Sequence, residues 1–147
     1  MLDKGWNLLG QNIDVEENGC TFGDVDFVLT SPHGLGFSID AKNGHDQVRY
    51  DRATKTVKFW NPWFGRGYDY PVSRAWFLAD WIRDSYDIMA VEPIMCFTDK
   101  VPLAFEGNAY GLHMVRIGNL VSLLERINAT YAAKASAPVM PVDVEKR

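Results

Sequence analysis

Apolar and polar residues alternate in two neighbouring segments near the start of the chain, residues 24–30 and 36–42. Alternation at every second position predicts two half-buried β-strands. Residues 31–35 (Ser-Pro-His-Gly-Leu) carry the proline and glycine typical of a turn, so the two strands are predicted to form a hairpin. The predicted apolar faces are Val25, Phe27 and Leu29 in the first strand and Phe37, Ile39 and Ala41 in the second.

Helical spacing predicts two helices later in the chain. Residues 72–86 are amphipathic, with Ala75, Leu78 and Ile82 on the buried side, joined by Trp81 or Phe77. A second helix is predicted from Leu120 to about residue 134, with Asn119 as its cap. Further strands are predicted at residues 6–13, 47–50, 56–60, 88–97 (centred on 94–97) and 113–117, with a polar loop at 14–23 and an aromatic, glycine-rich loop at 61–71. This order favours an α/β fold with a mixed sheet.

The length and composition indicate one globular domain. The chain has 147 residues, of which 47% are hydrophobic and 23% are charged. We expect a domain over residues 1–135 and a flexible tail over 136–147, where prolines and terminal charges disfavour a packed helix. Without an apolar run near about 20 residues or a signal peptide, we expect a cytoplasmic protein with no membrane partner. Cys20 and Cys96 fit no disulfide or zinc pattern and are expected to be reduced.

The net charge of −4 is unevenly distributed along the chain. Residues 1–41 carry seven acids and one base, whereas residues 42–83 carry eight bases and four acids. This pattern suits a carboxylate cluster beside a surface that binds a polyanion. Solvated faces of different charge explain it equally well.

The hairpin places two acids and a lysine together. A turn centred near His33 pairs residues whose numbers sum to about 66, which sets Asp26 opposite Asp40 with Cβ atoms about 5 Å apart. Lys42 shares the face of Asp40, because residues two apart on a strand point the same way. Facing like charges are destabilising, so a divalent cation is a natural neutralising partner, with Lys42 helping.

Such an arrangement suits metal-assisted phosphodiester hydrolysis. Mg²⁺ prefers oxygen ligands and retains several waters, so Asp26, Asp40 and the carbonyl of Ala41 suffice to hold it. The metal lowers the pKa of a bound water and stabilises the charge of the transition state. Lys42 can orient or deprotonate the attacking water, or hold the phosphate.

Gly23-Asp24-Val25-Asp26-Phe27 and Ile39-Asp40-Ala41-Lys42-Asn43-Gly44 resemble the motif of the nuclease-related domain (NERD) in the PD-(D/E)xK nuclease superfamily. The element order is similar over about residues 20–130, although only residues 23–44 are specific. The resemblance implies a restriction-endonuclease-like mixed sheet flanked by helices. It also implies Asp26 and Asp40 as metal ligands, Lys42 as the catalytic lysine, Mg²⁺ or Mn²⁺ as cofactor, and nucleic acid, with DNA favoured, as substrate.

Basic and aromatic residues follow the motif. We expect six bases to contact the phosphate backbone, which fixes position and gives weak sequence preference: Arg49, Arg52, Lys55, Lys58, Arg66 and Arg74. Aromatic rings at residues 59–81 suit either base stacking or a buried core. An exposed subset of these rings (Trp63, Phe64 or Tyr68) suits a dimer contact, and a homodimer is a further hypothesis because one site cuts one strand.

Three other interpretations remain open. Asp26, Asp40 and Lys42 are also compatible with a surface ion-pair network on a half-exposed sheet. The chain is also compatible with a non-catalytic nucleic-acid or protein-binding module of the same fold. In the third interpretation it is an interaction subunit whose aromatic loop binds a partner.

Overall fold

A computed structural model describes residues 4–136, which form nine strands and two α-helices. The strands are β1 (Asn7–Glu17), β2 (Cys20–Thr30), β3 (Gly36–Lys42), β4 (Gln47–Asp51), β5 (Thr56–Asn61), β6 (Arg66–Pro71), β7 (Val91–Phe97), β8 (Gly107–Ala109) and β9 (Leu112–Arg116). The helices are α1 (Val72–Tyr86) and α2 (Leu120–Ser136).

The main sheet has six strands in the order β1-β2-β3-β7-β9-β8. β3 pairs with β7 and β7 with β9 in parallel, whereas the other pairs are antiparallel. Along β7, Ile94 and Cys96 pack with α2, and Met95 and Phe97 enter the core on the opposite face. The predicted α/β fold with a mixed sheet is therefore confirmed, with one helix on each side.

The polar loop predicted at residues 14–23 is wrong, because β1 and β2 extend through it as a long hairpin. The turn is only Asn18-Gly19, between the paired residues Glu17 and Cys20. Both turn residues have positive φ angles, 52° and 80°, as the tight turns of two-residue hairpins require. The stretch looks loop-like because this end of the hairpin is largely solvent-exposed, although Val15 is fully buried.

The β2–β3 hairpin has the predicted register, with Phe27 opposite Ile39 and Leu29 opposite Phe37. The predicted common face of Val25, Phe27 and Leu29 is wrong. Val25 and Val28 both pack beneath α1, while Phe27 is 39% exposed. Long two-stranded ribbons twist strongly, and β1 shifts register against β2 at two places, so simple alternation fails along β2.

Both helices match their predictions closely. α1 occupies residues 72–86 as predicted and buries Ala75, Leu78 and Ile82. α2 continues to Ser136 and packs on the main sheet through leucines that include Leu123 and Leu124. A 3-10 turn, Ile117–Asn119, precedes α2, so helical turns begin before the predicted cap.

A second sheet of three antiparallel strands, β4-β5-β6, packs against the α1 face of the main sheet. The hairpin predicted around residues 51–55 is confirmed, but the long loop predicted at 61–71 is wrong because β6 occupies its second half. Gly67 allows this strand to approach, since a Cβ there would collide with the Phe59 carbonyl. Tyr70 anchors β6 in the core.

Residues 98–104, the bridging segment, join the two sheets. At one end Thr98 N–H donates to the carbonyl of Lys42 in the main sheet (3.1 Å). At the other end Val48 of β4 donates to the Pro102 carbonyl (2.9 Å) and accepts from Ala104 N–H (2.8 Å). The bridging segment therefore adds a short parallel edge to the small sheet. The sequence patterns predicted neither this edge nor β8.

Within residues 4–136, neither helix combines the length and hydropathy needed to cross a bilayer. The tail predicted at 136–147 begins with Ser136, the last residue of α2, and otherwise lies outside the described residues.

Candidate functional site

The candidate site lies where β2 and β3 separate. Their backbone pairing stops at Phe27 and Ile39, one position before the expected pair of Asp26 and Asp40. The Oδ2 atom of Asp26 accepts a hydrogen bond from Ala41 N–H at 2.7 Å. The Asp26 carboxylate thus accepts from a backbone N–H that would otherwise continue the β2–β3 pairing. The two strands diverge at this point.

Asp40 and Lys42 complete the cluster from β3. The Nζ atom of Lys42 lies 3.1 Å from Oδ2 of Asp40, and only 26% and 22% of their side chains are exposed. Asp26 lies near enough to Asp40 to raise the pKa of the Asp40 carboxyl. The structure therefore brings together the three residues that the sequence predicted.

Burial raises the pKa of Asp40 from 3.8 to about 6. Lys42 opposes this increase through its charge and its hydrogen bond, whereas the neighbouring Asp26 adds to it. The net increase shows that one lysine does not compensate for burial beside a second carboxylate. Such a site has a deficit of positive charge, which favours a proton or a cation.

Two rings from the small sheet cover the lysine. Nζ of Lys42 lies 5.7 Å from the ring centre of Phe59 and 5.8 Å from that of Tyr70. Burial and the charge of Asp40 raise the pKa of the Tyr70 hydroxyl, so it stays protonated at neutral pH. Tyr70 was missed because its segment was predicted as a loop, and its contact with the site depends on how the two sheets pack.

Arg74 also reaches this region, from the first turn of α1. Its guanidinium donates to the carbonyl of Phe22 (2.9 Å) and lies 5.6 Å from the ring centre of Tyr70. Gly23 lies directly beneath it, because a Cβ there would be 3.1 Å from the guanidinium. Arg74 is thus tied to the start of the motif strand as well as being a candidate contact for phosphate.

Two spaces adjoin the cluster. A small cavity of about 10 Å³ is lined by Asp24, Asp40 and Tyr70, among others. This is close to the volume that one water molecule needs. A cleft of about 220 Å³ lies between the end of β3 and the small sheet, with Lys42, Asp46 and Tyr68 in its lining. The ammonium group is therefore on the side from which a larger ligand can approach.

The oxygen donors suit Mg²⁺ or Mn²⁺. Asp26 and Asp40 supply carboxylates, and the Ala41 carbonyl shares the strand edge of the N–H that bonds to Asp26. Mg²⁺ retains several waters, so one or two carboxylates are enough. Over residues 4–136 no three His, Cys, Asp or Glu side chains come together as a metal-binding group. The fit therefore depends on two acids, a carbonyl and water.

The six bases predicted to contact nucleic acid do not form one surface. Arg49 and Lys58 are cross-strand neighbours on the small sheet. Arg52 and Lys55 lie in the β4–β5 turn, and the Lys55 ammonium sits 4.2 Å from the ring centre of Tyr110. Arg66 begins β6 at the other end of the hairpin, roughly 20 Å from that turn at strand spacing. Arg74 lies elsewhere again, between the backbone of Phe22 and the ring of Tyr70.

The aromatic segment divides into core and surface. Phe59 and Tyr70 are buried, while Trp63 and Phe64 at the β5–β6 turn are 87% and 70% exposed. The side chain of Asn61 accepts hydrogen bonds from the backbone of both turn residues, at 2.9 and 3.3 Å. The predicted exposed subset is therefore real for these two rings, and Tyr68 is 49% exposed.

Comparison of the chain with family models, with curated proteins and with solved structures found no match. The nuclease resemblance remains a prediction based on residues 23–44. At the coarse level, the described chain is an α/β domain with a mixed sheet and two helices.

Proposed function

We propose that this protein is a metal-dependent phosphodiesterase that cleaves nucleic acid, with DNA the favoured substrate. The observation that carries the proposal is the convergence of Asp26, Asp40 and Lys42 where β2 and β3 separate. A mixed sheet with one helix on each face supports a restriction-endonuclease-like fold. The match of residues 23–44 to the PD-(D/E)xK pattern gives the proposal its reaction class.

Each residue has a distinct role in this proposal. Asp26, held by Ala41 N–H, and Asp40 bind Mg²⁺ or Mn²⁺ together with the Ala41 carbonyl. When bound, the cation would lower the pKa of a coordinated water and neutralise charge on the phosphate. Lys42 donates hydrogen bonds to the attacking water or to a phosphate oxygen from the cleft side. Phe59 and Tyr70 restrict the ammonium to that position.

Plasmid cleavage tests the proposal. Supercoiled DNA incubated with the protein and Mg²⁺ or Mn²⁺ should become nicked, because a single site cuts one strand, and EDTA should abolish the reaction. Asp40→Ala should reduce the rate at least about 100-fold, since it removes a cation ligand and the partner of Lys42. Asp80→Asn, an exposed acid on α1, is the matched control. Cleavage that survives both EDTA and Asp40→Ala would contradict the assignment.

A non-catalytic nucleic-acid or protein-binding module of the same fold is the second candidate. Two observations favour it: the described chain brings two acids rather than three to the site, and the space beside Asp40 is small. Calorimetry with Mn²⁺ separates the candidates. A hydrolase should show a millimolar or tighter site that Asp40→Ala removes, and a binding module should show none.

The chemistry of the cysteines suits a reducing compartment, so we place this activity in the cytoplasm. Cys20 is exposed and Cys96 is buried, and neither forms a disulfide.

A further inference from the structure

On the outer face of the small sheet, polar and aromatic side chains of neighbouring strands are aligned in rows. Alternate residues of its strands, such as Val48, Phe59 and Tyr70, point inward to the core. The intervening residues are aligned across the strands in three rows. The first row is Gln47, Trp60 and Gly67, the second is Arg49, Lys58 and Asp69, and the third, beside the β4–β5 turn, is Asp51, Thr56 and Pro71.

The first row presents an aromatic platform. Trp60 is 47% exposed, which is a large apolar area for a strand residue on an outer face. Its neighbour on β6 is Gly67, which has no side chain to cover the indole ring. Gly67 is required there for a different reason, its close approach to the Phe59 carbonyl. The backbone packing therefore leaves a place beside the indole for a flat ligand.

The second row supplies positive charge. Arg49 and Lys58 are directly opposed, an unfavourable pairing of like charges. Asp69 neutralises Lys58 at 3.2 Å. Arg49 has no acidic partner within ion-pair distance among the described residues. The Arg116 guanidinium donates to the backbone carbonyl of Val101, and the Glu106 carboxylate, which accepts from the Arg116 backbone N–H at 2.9 Å, lies near its charge. Arg49 is therefore the main cation for an anionic ligand, with Arg116 in a supporting position.

The bridging segment turns this face into a groove. Pro102 and Ala104 bond to β4 and form a wall along its edge, with Arg116 beyond them. The volume of this open groove is about 730 Å³, within the usual range for small-molecule sites. The side chains of Trp60 and Arg49 lie on the face of the small sheet opposite the one that packs over Lys42. The groove and the cleft beside Lys42 are close neighbours, because Val48, Phe59 and Tyr68 line both.

We propose that this groove binds a nucleotide unit, with the base against Trp60 over Gly67 and the phosphate held by Arg49 and Arg116. An exposed aromatic ring beside cationic side chains is the combination that recognises unstacked bases and their backbone. The unit could be a free nucleotide or part of a single strand, since both present this chemistry. The inference does not rest on the proposed hydrolytic function, because binding here requires neither Asp40 nor a metal.

Fluorescence anisotropy with a labelled oligothymidylate of about eight nucleotides tests the inference. EDTA is present throughout, so cleavage does not contribute and a failure of the hydrolase proposal leaves this result unaffected. We expect saturable binding that Trp60→Thr weakens at least about fivefold, from the loss of stacking. Arg49→Gln should weaken binding and reduce its salt dependence by about one counterion. Lys134→Gln removes an exposed charge from α2 and should change nothing.

Competition identifies the ligand source. Thymidine monophosphate that competes at comparable nucleotide concentration indicates a free-nucleotide site, and competition by the oligomer alone indicates a single strand. Either result supports the inference. Equal competition by inorganic phosphate, equally tight binding of a duplex, or no binding of any probe at millimolar concentration would overturn it. A loss of affinity in Trp63→Leu as large as in Trp60→Thr would also overturn it, by moving the site to the β5–β6 turn.

Circular dichroism melting curves keep these outcomes interpretable. Threonine is favoured in strands, and Trp60 is half-exposed, so Trp60→Thr should remain folded. Arg49→Gln gives a second, independent result if that variant is unstable. An unchanged affinity in a folded Arg49→Gln variant would count against the phosphate contact.

Discussion

Two lysine–aspartate ion pairs with nearly equal N–O distances lie in different sheets of this molecule. Lys42 and Asp40 are 3.1 Å apart, and Lys58 and Asp69 are 3.2 Å apart. The Asp40 side chain is only 22% exposed and has a second carboxylate beside it, whereas Asp69 is 62% exposed on an outer strand. The same two groups at the same distance therefore sit in very different electrostatic surroundings.

The difference shows why ion-pair distance alone does not identify a site. An exposed pair gains little, because water screens both charges and the side chains lose entropy. A half-buried pair beside a further acid remains short of positive charge, which the increase in the pKa of Asp40 to about 6 records. The Lys58–Asp69 pair therefore joins two neighbouring strands at little gain in stability, whereas the surroundings of the Lys42–Asp40 pair favour a further positive charge.

The largest predicted effect is the loss of the lysine. Lys42→Met should cost about 2 kcal/mol of unfolding free energy at pH 8, because it leaves Asp40 beside Asp26 without a positive partner. Lys58→Met should cost less than about 1 kcal/mol, since Asp69 is mostly solvated. Urea unfolding at pH 8 measures both. Equal costs would remove the distinction between the two pairs, and the cost of Lys42→Met should shrink at pH 5, where Asp40 is protonated.

Metal binding should depend on pH through Asp40. Because the cation competes with the proton of a carboxyl whose pKa is about 6, Mn²⁺ affinity should fall up to about tenfold between pH 6 and 5 and level off above pH 7. Calorimetry at pH 5, 6 and 7.5 gives the profile. An affinity that does not change over this range would exclude Asp40 as a ligand.

The smallest predicted effect is a gain in stability from removing the acidic charge. The pKa of Asp40 in the folded chain lies above its ordinary 3.8, so folding becomes less favourable as pH rises from about 4 to above 6. The free energy of unfolding of Asp40→Asn should therefore be about 1 kcal/mol higher than that of the wild type at pH 8. This gain in stability should vanish near pH 4. Asp69→Asn should stay within about 0.5 kcal/mol at both values. Urea titrations at the two pH values would contradict the prediction if the Asp40 gain were larger at pH 4.

Local patterns predicted the parts of the fold in which burial and alternation coincide. The bounds of β3 and α1 and the register of the β2–β3 hairpin all follow from apolar spacing and one turn. That register is what brings Asp26 to Asp40 and Lys42. The acidic cluster was therefore predictable from residues 24–42, because its members belong to one local hairpin.

The remaining features depend on contacts between distant segments. At the exposed end of β1 and β2 few residues are buried, so the pattern of apolar residues does not predict the strands there. The Asn18-Gly19 turn was a local signal that would have indicated a hairpin. β6 was missed because its glycine and aromatic residues suit a loop equally well, and only packing on Phe59 selects the strand. Tyr70 enters the site through that packing. The rows of side chains on the outer face of the small sheet likewise depend on how β4, β5 and β6 align, which local sequence patterns do not specify.

The bridging segment has a consequence for how the protein comes apart. One continuous run of backbone supplies hydrogen bonds to both sheets within seven residues, from Thr98 to Ala104. If either sheet unfolds and releases the bridging segment, backbone donors and acceptors in the other sheet lose their hydrogen-bond partners. The two sheets should therefore melt together, in a single cooperative transition with coincident signals from different probes.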